Sequence, residues 1–97
     1  MTDLERFKKT LNEHRGELAR EYSVSNIGLF GSYVREDQAT GSDLDILVEF
    51  SQPISLLRFV NLKRRLSEML DVEVDLVMKK ALKPRIGERI LSEVVYI

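Results

Sequence analysis

The sequence predicts one α/β domain in which a small mixed sheet of three strands is flanked by helices. Three observations support this prediction: short apolar segments with strand-like patterning, longer segments with helical patterning between them, and a length of 97 residues, which is enough for one hydrophobic core. The predicted order is helix, strand, short helix, strand, helix, strand, helix (αβαβαβα). Because no linker, repeat or low-complexity segment divides the chain, residues 1–97 are predicted to form one domain.

The first predicted helix carries an apolar stripe from Leu4 to Tyr22. Thr2 and Glu5 have the spacing of a capping box, which places the start of the helix at Thr2. His14 and the residue after it interrupt the stripe near its middle. We interpret His14 as a surface or boundary residue, because no second ligand-type residue is spaced to join it at a metal ion.

The two later helices are predicted from their terminal signals. An N-cap at Ser51 and an early proline at Pro53 predict a helix that runs to about Leu70, where Asp71 closes the turn. Pro84 predicts the start of the last helix. The apolar face of the earlier helix comprises Leu56, Leu57, Phe59, Val60, Leu66, Met69 and Leu70. The apolar residues of the last helix are Ile86, Ile90, Leu91, Val94 and Val95.

The three predicted strands each have at least one apolar face. Residues 27–30 form an apolar run that stops at a tight turn, and residues 33–37 add a turn or two of helix. Residues 44–50 and 72–78 alternate, so each presents one apolar face and one face that carries carboxylates. Residues 38–42 have the composition of a loop.

The composition argues against several classes of function. Fifteen basic and sixteen acidic residues give a net charge of −1, which predicts no direct binding to nucleic acid through bulk electrostatics. The absence of cysteine excludes a disulfide scaffold, a thiolate zinc site and a cysteine nucleophile. No apolar stretch is long enough to span a bilayer, and the charged residues Asp3, Glu5 and Arg6 argue against a signal peptide. The expected location is therefore the cytoplasm, away from membranes.

Three aspartates stand on the polar faces of the second and third predicted strands. Asp43 and Asp45 are two residues apart and project to the same side, and Asp75 occupies the middle of the third strand. If these strands are neighbours, the three carboxylates converge, and either a pKa rises or a cation binds among them. Oxygen ligands suit Mg²⁺ or Mn²⁺ rather than zinc. Taken singly, each aspartate is better explained as a solvent-facing residue that caps a turn or pairs with Arg or Lys, and only the combination with Gly31-Ser32 favours a site.

Gly31 and Ser32 follow the first predicted strand. Gly31 lets the backbone approach a ligand closely, and Ser32 offers a hydroxyl and an amide that can bind phosphate. Taken alone, the pair is also compatible with an ordinary turn. If Ser32 at the end of the first strand and Asp43 at the start of the second touch one nucleotide, those two strands must run antiparallel.

Three basic residues near these positions have open roles. Arg35 stands three residues after Ser32 and either reaches phosphate or pairs with Asp37 or Glu49 as part of the scaffold. Lys79 and Lys80 follow the third strand, where they either form a solvated charge pair or face the substrate.

The combined pattern resembles a known family. Gly31-Ser32, ten intervening residues and then Asp43-Leu44-Asp45 match the signature of the polymerase β-like nucleotidyltransferases, and the segment around Asp75 resembles that family's third-carboxylate strand. The resemblance covers residues from about 27 to 78. Within the family, the short length and the run L-F-G-S-Y-V-R at 29–35 resemble the minimal nucleotidyltransferases, the MNT antitoxins encoded beside HEPN-domain toxins.

The resemblance implies a role for each motif residue. Asp43 and Asp45 would hold two divalent ions, Mg²⁺ or Mn²⁺, that bridge the triphosphate of ATP. Asp75 would complete the ion site and help to deprotonate the acceptor hydroxyl, while Gly31 and Ser32 would hold the outer phosphates. Catalysis would depend on positioning and charge neutralisation at the α-phosphate.

The resemblance also implies a partner and an activity. The expected reaction is transfer of AMP from ATP to a hydroxyl, a tyrosine by preference, of a HEPN toxin that the protein thereby silences as its antitoxin. One alternative is a non-catalytic nucleotide-binding or steric antitoxin, and another is a subunit of a small-molecule nucleotidyltransferase. Uncovered apolar residues on the central helix and at 94–97 predict contact with a partner or a second copy. The alternative for residues 94–97 is that this tail packs on the protein's own sheet.

Overall fold

The computed structural model describes residues 2–37 and 42–97. Apart from Ser42, the predicted loop at 38–42 lies outside the described residues. In chain order the elements are α1 (Asp3–Glu13), α2 (Arg15–Tyr22), β1 (Val24–Phe30), α3 (Ser32–Arg35), β2 (Leu44–Phe50), α4 (Leu56–Leu70), β3 (Val74–Met78), α5 (Pro84–Glu93) and β4 (Val95–Tyr96), with a 3-10 turn at Lys79–Ala81. None of the described helices is long and apolar enough to cross a bilayer.

The sheet is mixed, with the strand order β3-β2-β1-β4. β1 runs antiparallel to β2, and β3 runs parallel to β2 on its other side. The predicted α/β architecture with a mixed sheet is therefore confirmed, as is the antiparallel pairing of the first two strands. Joining β2 to a parallel neighbour requires a crossover connection, which α4 supplies.

The predicted count of three strands is wrong by one. The short strand β4 pairs antiparallel with the free edge of β1, so that Val95 lies opposite Leu29. The pattern of apolar residues predicts that the last helix includes Val94 and Val95, but that helix ends at Glu93 and Val94 is extended, with ψ 136°. Gly28 makes the pairing possible, because a Cβ at this position would come within 2.6 Å of the Val94 side chain.

The hydrophobic core lies between one face of the sheet and helices α1, α2 and α4. The helices contribute an apolar stripe each, and the strands contribute every second side chain. The buried residues of this core are Phe7, Leu11, Leu18, Val24, Ile27, Leu29, Leu44, Ile46, Val48, Leu62, Leu66, Leu70, Val74 and Leu76. The opposite face of the sheet carries the aspartates.

Two predicted helices differ from the observed ones in detail. The interruption at His14 is a true break, where the imidazole Nδ1 lies 2.8 Å from the Thr10 carbonyl oxygen and α2 starts afresh. The predicted N-cap at Ser51 is wrong, since α4 begins at Leu56 and its N-cap is Ser55, whose hydroxyl accepts a hydrogen bond from the Arg58 N–H at 3.1 Å. Ser51 instead extends the pairing of β2 with β1 by one residue, since its N–H donates to the Ser23 carbonyl oxygen.

Several terminal signals were predicted correctly. Thr2 caps α1 by accepting a hydrogen bond from the Glu5 N–H at 3.1 Å. Asp71 ends α4 in a left-handed conformation with φ 53°, and Pro84 opens α5. The predicted apolar face of α4 is only partly buried. Its exposed apolar residues are Leu56, Leu57 and Val60.

Candidate active site

The candidate site lies at one end of the sheet, where three strands bring the motif residues together. Phe30, the last residue of β1, is paired with Asp45 near the start of β2, and Asp45 is paired with Asp75 of β3. Because β1 is antiparallel to β2 while β3 is parallel to it, the turn after β1 and the beginnings of the other two strands meet at the same edge. The turn after β1, Asp45 and Asp75 are separated in the sequence but therefore lie side by side in the fold.

Asp45 and Asp75 form a coupled pair of carboxyl groups. They occupy directly opposite positions of neighbouring strands, which are about 4.8 Å apart in a sheet. Asp45 is half-buried and shares a hydrogen bond with Asp75, which is exposed. Burial first, and then the charge and the hydrogen bond of Asp75, raise the pKa of Asp45 to about 6. Asp45 therefore holds its proton more tightly than a free aspartate does.

Gly31 is required at this place for two reasons. Its φ of 80° lies in the left-handed region that side chains disfavour. A Cβ at this position would also overlap the carboxylate of Asp45, coming within 2.8 Å of its carboxyl carbon. The absence of a side chain at Gly31 thus leaves the space in which the Asp45 carboxylate sits.

The turn after Gly31 exposes hydrogen-bond donors. The Gly31 carbonyl accepts from the N–H groups of Val34 and Arg35, both at 3.1 Å, which closes the single turn of α3. The N–H groups of Ser32 and Tyr33 and the Ser32 hydroxyl make no hydrogen bond to any residue in 2–37 or 42–97. These donors are available to an anion beside the aspartates.

Tyr33 fixes this turn to the rest of the molecule. Its ring packs edge-to-face on Phe7 of α1, with centroids 5.3 Å apart. Its hydroxyl donates a hydrogen bond to the carbonyl of Ser42, the residue before Asp43, at 3.3 Å. One aromatic side chain therefore connects the turn, the core and the approach to the second strand.

Arg35 is held by two carboxylates. Its Nε donates to Asp37 at 3.2 Å, as one of the scaffold alternatives predicted. Its Nη1 donates to both carboxylate oxygens of Glu93, each at 3.1 Å. The predicted alternative partner Glu49 is wrong, because Glu49 lies near the far end of β2, where its carboxylate is 3.5 Å from the Lys79 ammonium group.

Glu93 is the site residue that sequence reasoning missed. Besides its contact with Arg35, it accepts a hydrogen bond from the N–H of Gly31 at 3.0 Å across a separation of 62 residues. Its position follows from the pairing of β4 with β1, which returns the chain to the turn. The sequence offered no signal for this contact, because the two-residue strand that causes it was assigned to a helix.

Asp43 stands apart from the other two aspartates. It is exposed just before β2 and adds only a minor contribution to the raised pKa of Asp45. Among residues 2–37 and 42–97, no three His, Cys, Asp or Glu side chains are close enough together to form a ready metal site. The Asp45–Asp75 pair nevertheless fits a divalent cation, since two carboxylates at directly opposite positions of neighbouring strands offer oxygen ligands close together.

The two lysines after β3 lie at the other end of the strand from Asp75. Lys79 forms the ion pair with Glu49 described above, and Lys80 is exposed. Both also line a cavity of about 590 Å³ between the ends of β2 and β3 and the segment at 51–54. None of the three aspartates lines this cavity.

The fold and the sequence match a nucleotidyltransferase domain. Residues 11–97 match the family model described as "Nucleotidyltransferase domain". The chain belongs to this family, and the resemblance drawn from its motifs is confirmed over a longer segment than the motifs themselves occupy. The class of enzyme expected from the sequence, a nucleotidyltransferase, is confirmed with it.

The chain is also similar to a named enzyme and to solved structures. The chain is 45% identical to the protein adenylyltransferase MntA of Thermococcus cleftensis over 97 residues, covering all of this chain and 98% of the relative. A solved structure assigned as a minimal nucleotidyltransferase is 34% identical, with a TM-score of 0.80 over 98% of this chain and 95% of that chain. A chain in a toxin–antitoxin crystal structure with AMP-PNP is 26% identical, with a TM-score of 0.72 over 88% of this chain and 69% of that chain.

Proposed function

We propose that this protein is a metal-dependent protein adenylyltransferase that moves AMP from ATP to a tyrosine hydroxyl of a partner HEPN toxin, and that it thereby acts as an antitoxin in the cytoplasm. The observation that carries the proposal is the Asp45–Asp75 pair beside the donors of Ser32, which make no hydrogen bond to any residue that the structure describes. The full-length similarity to a protein adenylyltransferase supports the choice of AMP and of a protein acceptor.

The donor side of the site suits a triphosphate. The Ser32 hydroxyl and the N–H groups of Ser32 and Tyr33 supply hydrogen bonds to the outer phosphates, and Arg35 supplies positive charge. Asp43, Asp45 and Asp75 are the oxygen ligands for two Mg²⁺ ions, with Mn²⁺ as a substitute. When bound, the ions neutralise charge that develops on the triphosphate as it reacts.

The acceptor side of the site suits a hydroxyl that arrives on another molecule. Asp75 is exposed and lies at the open edge of the sheet, where a partner's tyrosine can approach. Asp75 accepts the hydroxyl proton as the acceptor oxygen forms a bond to the α-phosphorus. The bond from that phosphorus to the bridging oxygen breaks, and pyrophosphate leaves.

The test is the intact mass of the neighbouring gene's product, as the candidate partner, after incubation with this protein, ATP and Mg²⁺. We expect the toxin to gain the mass of AMP with the wild-type protein, and Asp75→Asn to lose this transfer by several orders of magnitude while Mg²⁺·ATP still binds. Glu73→Gln is the matched control, because Glu73 is exposed on the same face of the chain just before β3. A toxin that Asp75→Asn neutralises fully without any gain in mass would establish the steric antitoxin instead.

A further inference from the structure

We infer that Glu93 is a positioning residue, which holds the Gly31 turn and the Arg35 guanidinium in the geometry that receives the outer phosphates of the nucleotide. This inference rests on the proposed function, since it requires a triphosphate at the turn. It adds a role for the end of α5, which contributes no residue of the sequence motif.

Glu93 joins the Gly31 turn and the Arg35 guanidinium through one carboxylate. Its Oε1 accepts from the Gly31 N–H at 3.0 Å and from Arg35 Nη1 at 3.1 Å. Gly31 has a backbone conformation that is readily lost, because glycine is free to adopt many others. A charged acceptor on its N–H restricts that freedom and fixes the direction in which the following N–H groups point.

The location of Glu93 indicates that the contact is specific. A negative charge on the last residue of a helix is unfavourable, because the carbonyl end of the helix dipole is itself negative. The contacts with Gly31 and Arg35 offset that cost. Only 20% of the Glu93 side chain is exposed. The residues that follow Glu93 are held in place by the pairing of β4 with β1.

The two carboxylates on Arg35 are expected to have opposite effects. Asp37 is 58% exposed and contacts Nε on the open side, where an incoming phosphate can replace it. Nη2 makes no hydrogen bond within the described part of the chain, so it is also available to phosphate. Glu93 contacts only Nη1 and can remain in place, which orients the guanidinium while the phosphate binds the other nitrogens.

The experiment is a calorimetric titration of the full chain with Mg²⁺·AMP-PNP and, separately, with AMP. We expect Glu93→Ala to weaken AMP-PNP binding about tenfold or more and AMP binding far less, because only the outer phosphates depend on the turn and on Arg35. Glu93→Gln keeps an acceptor for the Gly31 N–H and should recover part of the loss. Asp37→Asn, the matched control, should bind AMP-PNP as well as the wild type or better.

Three outcomes would overturn the inference. If Glu93→Ala binds AMP-PNP as tightly as the wild type or more tightly, Glu93 is a spectator or a competitor of the phosphate. If it loses AMP-PNP and AMP equally and its unfolding midpoint falls sharply, Glu93 only supports the fold. If the wild type itself fails to bind Mg²⁺·AMP-PNP, the proposed function fails and the inference falls with it, a result distinct from the first two.

Discussion

Replacing Asp45 with asparagine should stabilise the metal-free protein at neutral pH, although it removes a group central to the site. The folded protein holds the pKa of Asp45 at about 6, against an ordinary value of 3.8. Below both values the carboxyl is protonated in the folded and the unfolded chain, so its titration does not change the free energy of unfolding. As the pH rises through this window, Asp45 ionises more easily in the unfolded chain than in the folded one, so the free energy of unfolding decreases between about pH 4 and pH 6.

The size of the effect follows from the shift. A change of this size corresponds to about 3 kcal/mol at 1.36 kcal/mol for each unit of pKa. Asp45 is only half-buried, and solvent screens its interaction with Asp75, so we expect about 1–2 kcal/mol. Asparagine cannot ionise, and its amide can donate a hydrogen bond to the Asp75 carboxylate.

Urea denaturation in EDTA at about pH 4 and about pH 7.5 measures this difference, because groups that titrate in both proteins cancel. Asp45→Asn should exceed the wild type by about 1–2 kcal/mol at the higher pH and match it at the lower one. Glu73→Gln, an exposed neighbour outside the pair, controls for a general loss of negative charge. A variant that is less stable than the wild type at neutral pH, or equally changed at both pH values, would refute the reasoning.

Two further predictions test the same site. Gly31→Ala should destabilise the fold by about 1–3 kcal/mol and abolish binding of Mg²⁺·ATP, because the new Cβ would overlap the Asp45 carboxylate and alanine would be strained at this φ. Urea denaturation measures the stability and calorimetry the affinity, and an unchanged affinity would contradict the assigned geometry. Mg²⁺ affinity should fall about tenfold for each pH unit below the pKa of Asp45, which is about 6, because the ion and the proton compete for the same oxygens. Calorimetry across this pH range measures the affinity, and a pH-independent affinity would place the ion elsewhere.

Local signals in the sequence were sufficient for most of the fold. Strand β2 was predicted with its observed bounds because its residues alternate cleanly, and the caps at Thr2 and Asp71 depend only on immediate neighbours. The N-cap of α4 was misplaced because Ser51 and Ser55 both suit the role locally. The contact of Ser51 with the Ser23 carbonyl oxygen decides between them, and Ser23 is 28 positions away in the sequence.

The aspartate pair was predictable and the contact with Glu93 was not. Asp45 and Asp75 meet because hydrophobic alternation fixes which face each occupies, and alternation is visible in the sequence. Glu93 reaches Gly31 only because β4 forms, and a two-residue strand carries too little pattern to be recognised. Its formation depends on the space above Gly28, a property of packing between residues distant in the chain.

The direct pairing of Asp45 with Asp75 makes the connection between α4 and β3 intolerant of changes in length. A shift of β3 by one residue would turn Asp75 into the core and bring Val74 and Leu76 out to the polar face. Such a shift would bury a charge and empty the site in a single step. Evolution can therefore lengthen the segment between β2 and α4 without disturbing the strand register, whereas any insertion of a single residue at 71–73 that moves β3 removes stability and chemistry together.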